Sequence, residues 1–153
     1  MKIAELLAPA AVVAQMKATG KNAALEELAE AITRAHAGLD RDAILRVLHE
    51  RERLGSTGIG DGVAIPHGKL KNVDQLLLSF GRSRGGVEFD SMDGKPAHLF
   101  FLLLASEDSV GIHLKTLARI SKLLKNPAIR DALLAADDSA DLYRIITEED
   151  SKL

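Results

Sequence analysis

The chain has 153 residues, of which 46% are hydrophobic and 27% charged, with a formal net charge of −2. That balance belongs to a globular chain long enough to bury a full core, and it argues against a nucleic-acid binder that works through bulk positive charge. An aromatic share of 3% leaves little for stacking single-stranded bases, and the lack of cysteine excludes disulfides, iron–sulfur ligation and thiol catalysis.

The opening stretch, MKIAELLAPAAVVAQMKATG, carries Glu5 and lacks a basic region ahead of a long apolar core, so it reads as folded structure rather than a secretion signal. A short helix is expected over 3–7 and a short strand over 12–16. Residues 21–37 form an amphipathic pattern with Leu25, Leu28, Ala29, Ile32 and Ala35 on one face. Gly38 ends it, and Asp40 is a suitable N-cap for a second helix over 41–53, with Ile44, Leu45, Val47 and Leu48 as its apolar stripe.

The stretch 51–69, RERLGSTGIGDGVAIPHGK, leaves that helix, crosses a glycine-rich loop and turns extended at Val63-Ala64-Ile65. Pro66 lacks a backbone N–H, so the strand is expected to stop there, with His67 presented at its end. Gly68 would let a bulky group approach the backbone. By itself His67 is equally consistent with an ordinary turn histidine.

Further along, 75–84 reads as a strand, Gly85-Gly86 as a turn and 87–89 as a short strand or loop. The run 97–105, AHLFFLLLA, is too continuously apolar for a half-exposed strand and is expected at the centre of a sheet. It is also too short to span a bilayer. Helices follow over 109–125, 128–136 and 140–147, with Asn126-Pro127 stopping the first and a polar tail after the last. The fold class is α/β, a sheet with helices packed against it, in a single cytoplasmic domain over 1–153.

Helical phase identifies two inward-facing polar residues. With Ile44 at zero and 100° per residue, Arg51 falls at about 340°, inside the apolar stripe, while Arg53 faces water at about 180°. A guanidinium on that face either pairs with an anion or snorkels to solvent. With Ile112 at zero, His113 falls near 100°, in the middle of the stripe formed by Leu117, Ile120, Leu123 and Leu124. His113 is either a satisfied core histidine or a ligand-facing group in the first turn of a helix, where free N–H groups suit an anion. His36, His49 and His98 read as structural.

Several chemistries lack their residues. No carboxylate pair suited to glycoside cleavage stands out, no G-x-x-x-x-G-K-S/T loop is present, and no G-x-S-x-G elbow marks a serine nucleophile. Zinc would have His67 and His113 but no third ligand marked by spacing. What remains is His67, His113 and Arg51, a set suited to phosphoryl transfer. A neutral imidazole attacks phosphorus, and the other two offset charge on the equatorial oxygens. Such a site needs no cofactor.

Residues 51–70, R-E-x-L-G-S-T-G-I-G-x-G-x-A-I-P-H-G-K-L, resemble the active-site segment of the phosphotransferase-system (PTS) enzyme IIA proteins of the mannitol/fructose type, and are closest to the nitrogen-regulatory branch. The resemblance continues in HLKTLARISKL at 113–123 and DLYRIIT at 141–147. It implies a central mixed, roughly five-stranded sheet flanked by helices on both faces. It also implies a phosphocarrier with His67 as the phosphorylated nucleophile, on Nε2, and with His113 and Arg51 supporting the phosphoryl group. The implied donor is an HPr-like phosphohistidine protein charged by an enzyme I from phosphoenolpyruvate. Downstream regulatory targets, among them potassium-transport or nitrogen-response components, are implied as partners, with neither nucleic acid nor membrane insertion involved. Ile59 and Leu70 are expected to line the docking surface. Two alternatives stand beside this reading. One is the IIA subunit of a fructose/mannitol-type permease that relays phosphate to a IIB domain; the other is a regulatory binding module that is not phosphorylated.

Overall fold

The computed structural model describes residues 2–153; Met1, counted in the domain above, lies outside the described residues. In chain order the elements are α1 (Ile3–Leu6), β1 (Leu7–Val13), α2 (Lys21–Ala35), α3 (Arg41–Arg53), β2 (Gly58–Gly60), β3 (Val63–Ala64), β4 (His67–Leu70), β5 (Leu77–Val87), β6 (Ala97–Ser106), α4 (Val110–Lys125), α5 (Pro127–Ala135) and α6 (Ser139–Asp150). The sheet runs β1-β5-β6-β3-β2, with β4 also paired to β6. β3 and β4 both lie parallel to β6, on successive stretches of it, so six strands occupy five places. The expected mixed sheet of roughly five strands is therefore present, flanked by helices on both faces.

β6 is the central strand, as its apolar run requires. Alternate side chains of a strand point to opposite faces. Accordingly, Leu99, Phe101, Leu103 and Ala105 pack with Ile120 and Leu123 of α4, Leu133 of α5 and Ile146 of α6. Phe100, Leu102 and Leu104 pack with Leu25 and Leu28 of α2 and Ile44 and Leu48 of α3. Burying each such side chain stabilises the fold by about 1.5–3 kcal/mol. The helix starts follow their caps: Asp40 accepts from the N–H of Asp42 at 3.0 Å, and Asn126 accepts from Ala128 at 2.9 Å with Pro127 in the first turn.

Four local expectations need correction. The first strand is Leu7–Val13, which overlaps the expected 12–16 at only two positions. It is an edge strand whose register breaks between Leu7 and Val12, and an irregular edge is where the missing N–H of Pro9 is tolerated. β5 runs through Gly85-Gly86 instead of turning there. Its register slips between Arg82 and Val87, Gly86 takes φ 89°, and the Gly86 N–H donates to Ser83 Oγ at 3.0 Å, which together make a bulge. The glycine-rich loop is a β2–β3 hairpin, with Asp61 (φ 57°) and Gly62 (φ 77°) as the two turn residues; two positive φ values in an Asp-Gly pair define a type I′ turn. α6 extends to Asp150 because that carboxylate, fully buried, accepts from the Ile3 N–H at 2.7 Å and pairs with Arg119 at 2.5 Å.

Candidate functional site

Pro66 interrupts the strand without ending it. The Ile65 N–H donates sideways to the Thr57 carbonyl at 3.0 Å, while the Pro66 carbonyl accepts from Leu103 N–H at 2.9 Å and keeps the chain on β6. β4 then resumes with His67, so the histidine opens a strand rather than following one. Its partner Gly68 is under α3: a Cβ there would stand 2.9 Å from Val47 Cγ2. The bulky group that Gly68 admits is thus helix α3 itself.

That close approach brings in Arg51, one turn beyond Val47 on the same side of α3. Its Nε–H donates to His67 Nε2 at 3.2 Å, and its Nη1 donates to the Gly55 carbonyl at 2.9 Å. The inward orientation expected from helical phase is met by a neutral imidazole nitrogen. Across the site, His113 is buried in the first turn of α4, and its ring meets that of His67 edge-on, with centroids 5.4 Å apart and planes at 83°. The three residues singled out by the sequence lie together.

Hydrogen-bond chemistry determines the state of His67. Its Nδ1 lies 2.8 Å from the Ile65 carbonyl, and a carbonyl only accepts, so Nδ1 carries the proton. Nε2 keeps its lone pair, at present capped by Arg51. Burial lowers the His67 pKa below the ordinary histidine value, and the Arg51 charge lowers it further; the Ile65 bond and Glu52 act the other way. His113 is lowered by burial first, then by His67 and Lys69. Both rings are therefore neutral near pH 7. His113 Nδ1 is buried and makes no hydrogen bond among the described residues, a cost usually kept only where a site uses it.

A depression of about 370 Å³ opens over His67, lined by Arg51, Leu54, Lys69 and His113 among others. A second, of about 300 Å³, lies on its other side between Ile59, Met92 and Leu117. Leu54, Ile59 and Met92 are exposed around the histidine. Leu70, expected beside Ile59, is buried in the α2–α3 layer because β4 turns it inward. A smaller hollow of about 190 Å³ runs along α4 by Ile3, Lys115 and Arg119, but it contains no histidine and its arginine is engaged by Asp150.

Two residues of the site, Glu52 and its partner Thr57, were missed. Glu52, with a side chain 6% exposed, holds Lys21 Nζ at 3.0 Å and accepts from both the N–H and the hydroxyl of Thr57. The wheel that places Arg51 puts Glu52 at about 80°, also within the apolar stripe, so a signal was available. His98 Nδ1–H donates to the Ser83 carbonyl at 2.9 Å, in keeping with a structural part. Among the described residues no group of three or more candidate ligands could hold a metal ion, and no helix is long and apolar enough to cross a membrane.

Comparison with known proteins gives a consistent result. Residues 5–149 match the family model "Phosphoenolpyruvate-dependent sugar phosphotransferase system, EIIA 2". The "Nitrogen regulatory protein" of Bradyrhizobium diazoefficiens is 42% identical over 146 residues, 95% of each chain. The "PTS system fructose-specific EIIABC component" of Bacillus subtilis is 38% identical over 150 residues, 98% of this chain but 24% of that longer one. Among solved structures, the nitrogen regulatory protein IIA-Ntr from Neisseria meningitidis superposes with a TM-score of 0.88 at 36% identity, covering 95% of this chain and 99% of its own. With residues 5–149 matched by the family model and the fold superposing over nearly its whole length, the chain belongs to the EIIA 2 family of the phosphoenolpyruvate-dependent phosphotransferase system.

Proposed function

We propose that the protein is a phosphohistidine carrier of a nitrogen-type phosphotransferase system, which accepts a phosphoryl group on Nε2 of His67. The observation that carries this reading is the bond from His67 Nδ1–H to the Ile65 carbonyl. It leaves Nε2 as the nucleophilic nitrogen at the open face of the site.

In the proposed step the donor is a phosphohistidine on an HPr-like carrier protein, docked on the rim of Leu54, Ile59 and Met92. Arg51 swings off Nε2, and the Nε2 lone pair attacks phosphorus in line. The donor's P–N bond breaks, and its electron pair returns to the donor ring nitrogen. His67 retains its Nδ1 proton, so positive charge spreads over the phosphorylated ring and faces the Ile65 carbonyl. The freed Arg51 guanidinium and an N–H of neutral His113 then offset the negative charge on the equatorial oxygens. The phosphoramidate remains transferable because its ring is a good leaving group while protonated.

A regulatory output, through partners that distinguish the phosphorylated from the free protein, is favoured by the likeness to nitrogen regulatory proteins over 95% of their length. Potassium-transport and nitrogen-response components are candidates for such partners. Sugar relay to a IIB domain is the second reading, favoured by the likeness to the fructose-specific component. Incubation with enzyme I, an HPr-like carrier and labelled phosphoenolpyruvate is expected to give acid-labile label on the wild type and none on His67→Ala. Label persisting in that variant would sink the assignment, and onward transfer to a purified IIB domain would favour the second reading.

A further inference from the structure

The carboxylate of Glu52 is nearly withdrawn from water, and a carboxylate in that position must be compensated. Lys21, the first residue of α2, reaches it at 3.0 Å while lying over the Phe89 ring, 4.9 Å from its centroid, and 3.4 Å from Asp90. An apolar pair could join α2 to α3 at similar stability. It could not do what Glu52 does next, which is to take both the N–H and the hydroxyl of Thr57 and so hold that residue by its backbone and its side chain at once.

Thr57, so held, leads to the histidine. Its carbonyl accepts the Ile65 N–H at 3.0 Å, and the Ile65 carbonyl accepts the His67 Nδ1–H at 2.8 Å. Arg51, the residue before Glu52, holds the neighbouring Gly55 carbonyl and caps Nε2. Consecutive residues at the end of α3 therefore act on the two nitrogens of His67 by separate routes, Arg51 on Nε2 directly and Glu52 on Nδ1 through Thr57 and Ile65.

We propose that Glu52 and Thr57 are positioning residues that set the tautomer and orientation of His67, with Lys21 holding Glu52 in place. The inference rests on His67 being the phosphoryl acceptor. Without the clamp the Ile65 carbonyl moves off Nδ1, the Nε2–H tautomer becomes populated, and that fraction of the protein has no lone pair to offer at the site.

The test uses the full chain as Thr57→Val, Thr57→Ser and Glu52→Gln. Thr57→Val puts a methyl in place of the hydroxyl and keeps the N–H bond to Glu52, with folding checked by circular dichroism, and Thr57→Ser restores the hydroxyl. The imidazole ¹⁵N shifts of His67 report its tautomer, and the initial rate of labelling by an HPr-like donor reports the reaction. The wild type should show Nδ1–H alone. Thr57→Val and Glu52→Gln should show mixed tautomers and accept phosphate roughly ten- to a hundredfold more slowly, the range that misplacement of a reacting group produces. Thr57→Ser should recover both readouts. An unchanged tautomer or an unchanged rate in folded Thr57→Val would overturn the proposal. Because the tautomer is read without any phosphoryl transfer, this outcome is separate from persistence of label in His67→Ala, which would overturn the acceptor assignment instead.

Discussion

The Nε–H of Arg51 points at the lone pair of His67 Nε2 from 3.2 Å, so the arginine occupies the position that a phosphoryl group would take in the proposed reaction. A cation resting on the nucleophilic nitrogen both lowers its basicity and shields it. It must leave before attack, and its charge is then free for the incoming oxygens. The resting contact and the reactive contact are alternatives for one guanidinium.

Replacing Arg51 should therefore move two quantities in opposite directions. Arg51→Ala removes an influence that lowers the His67 pKa, so an NMR titration should show that pKa rising. The rate of phosphoryl acceptance should fall by roughly 10²–10³, the cost of losing one preorganised charge-stabilising donor. Arg51→Lys keeps the charge but loses the planar fork, so it should recover the pKa more fully than the rate.

Stability should depend on pH through the same histidines. Both have folded pKa values below the ordinary value of 6.5, chiefly through burial. Below pH 6.5 the unfolded chain takes up protons that the folded chain resists, so stability is full above that pH and falls as pH drops toward the lowered folded values. Urea unfolding at pH 7.5 and pH 5.0 should show a smaller loss in a His67→Ala/His113→Ala double variant than in the wild type. Equal losses would contradict neutral burial of the two rings.

Gly68→Ala tests how α3 sets the site. The added methyl would meet Val47 Cγ2 at 2.9 Å and Val47 Cβ at 3.3 Å, and overpacking of this kind costs about 1–3 kcal/mol. Because Arg51 lies one turn along α3, acceptance by His67 should fall as well. Adding Val47→Ala opens the space and should restore both the melting temperature and the rate.

Arg82 provides the opposite case, a buried charge away from the histidines. Fully buried, it donates through Nε to the Ala14 carbonyl at 3.0 Å and through Nη1 to the carbonyls of Leu133 at 3.0 Å and Ala136, closing the C-terminal end of α5. Arg82→Met strands those carbonyls and should cost about 1–3 kcal/mol by chemical denaturation. Phosphoryl acceptance by the remaining folded protein should be unchanged.

Periodicity alone located much of this molecule. The apolar run at 97–105, interrupted only by His98, was expected as a strand covered on both faces, and β6 is that strand. Helical phase by itself turned Arg51 and His113 inward, because a residue's direction on a helix follows from its number. The motif around His67 carried the family, which the comparisons bear out.

Long-range contacts lay beyond that reach. Pro66 argued for the end of a strand, yet β6 offers Leu103 N–H to the Pro66 carbonyl and the strand resumes at His67. The Asp61-Gly62 turn was read only as part of a glycine-rich loop, because its two flanking strands are too short to show an alternating pattern. Nor does sequence spacing reveal that Lys21 of α2, Glu52 of α3 and Thr57 of the loop ahead of β2 converge behind the histidine. Local residue chemistry determined which side chains could transfer a phosphoryl group. The Ile65 carbonyl, two residues from His67, holds Nδ1 locally; only the packing of α3 against β4 decided that Arg51 would rest on Nε2, because helix and strand meet only once the chain has closed between them.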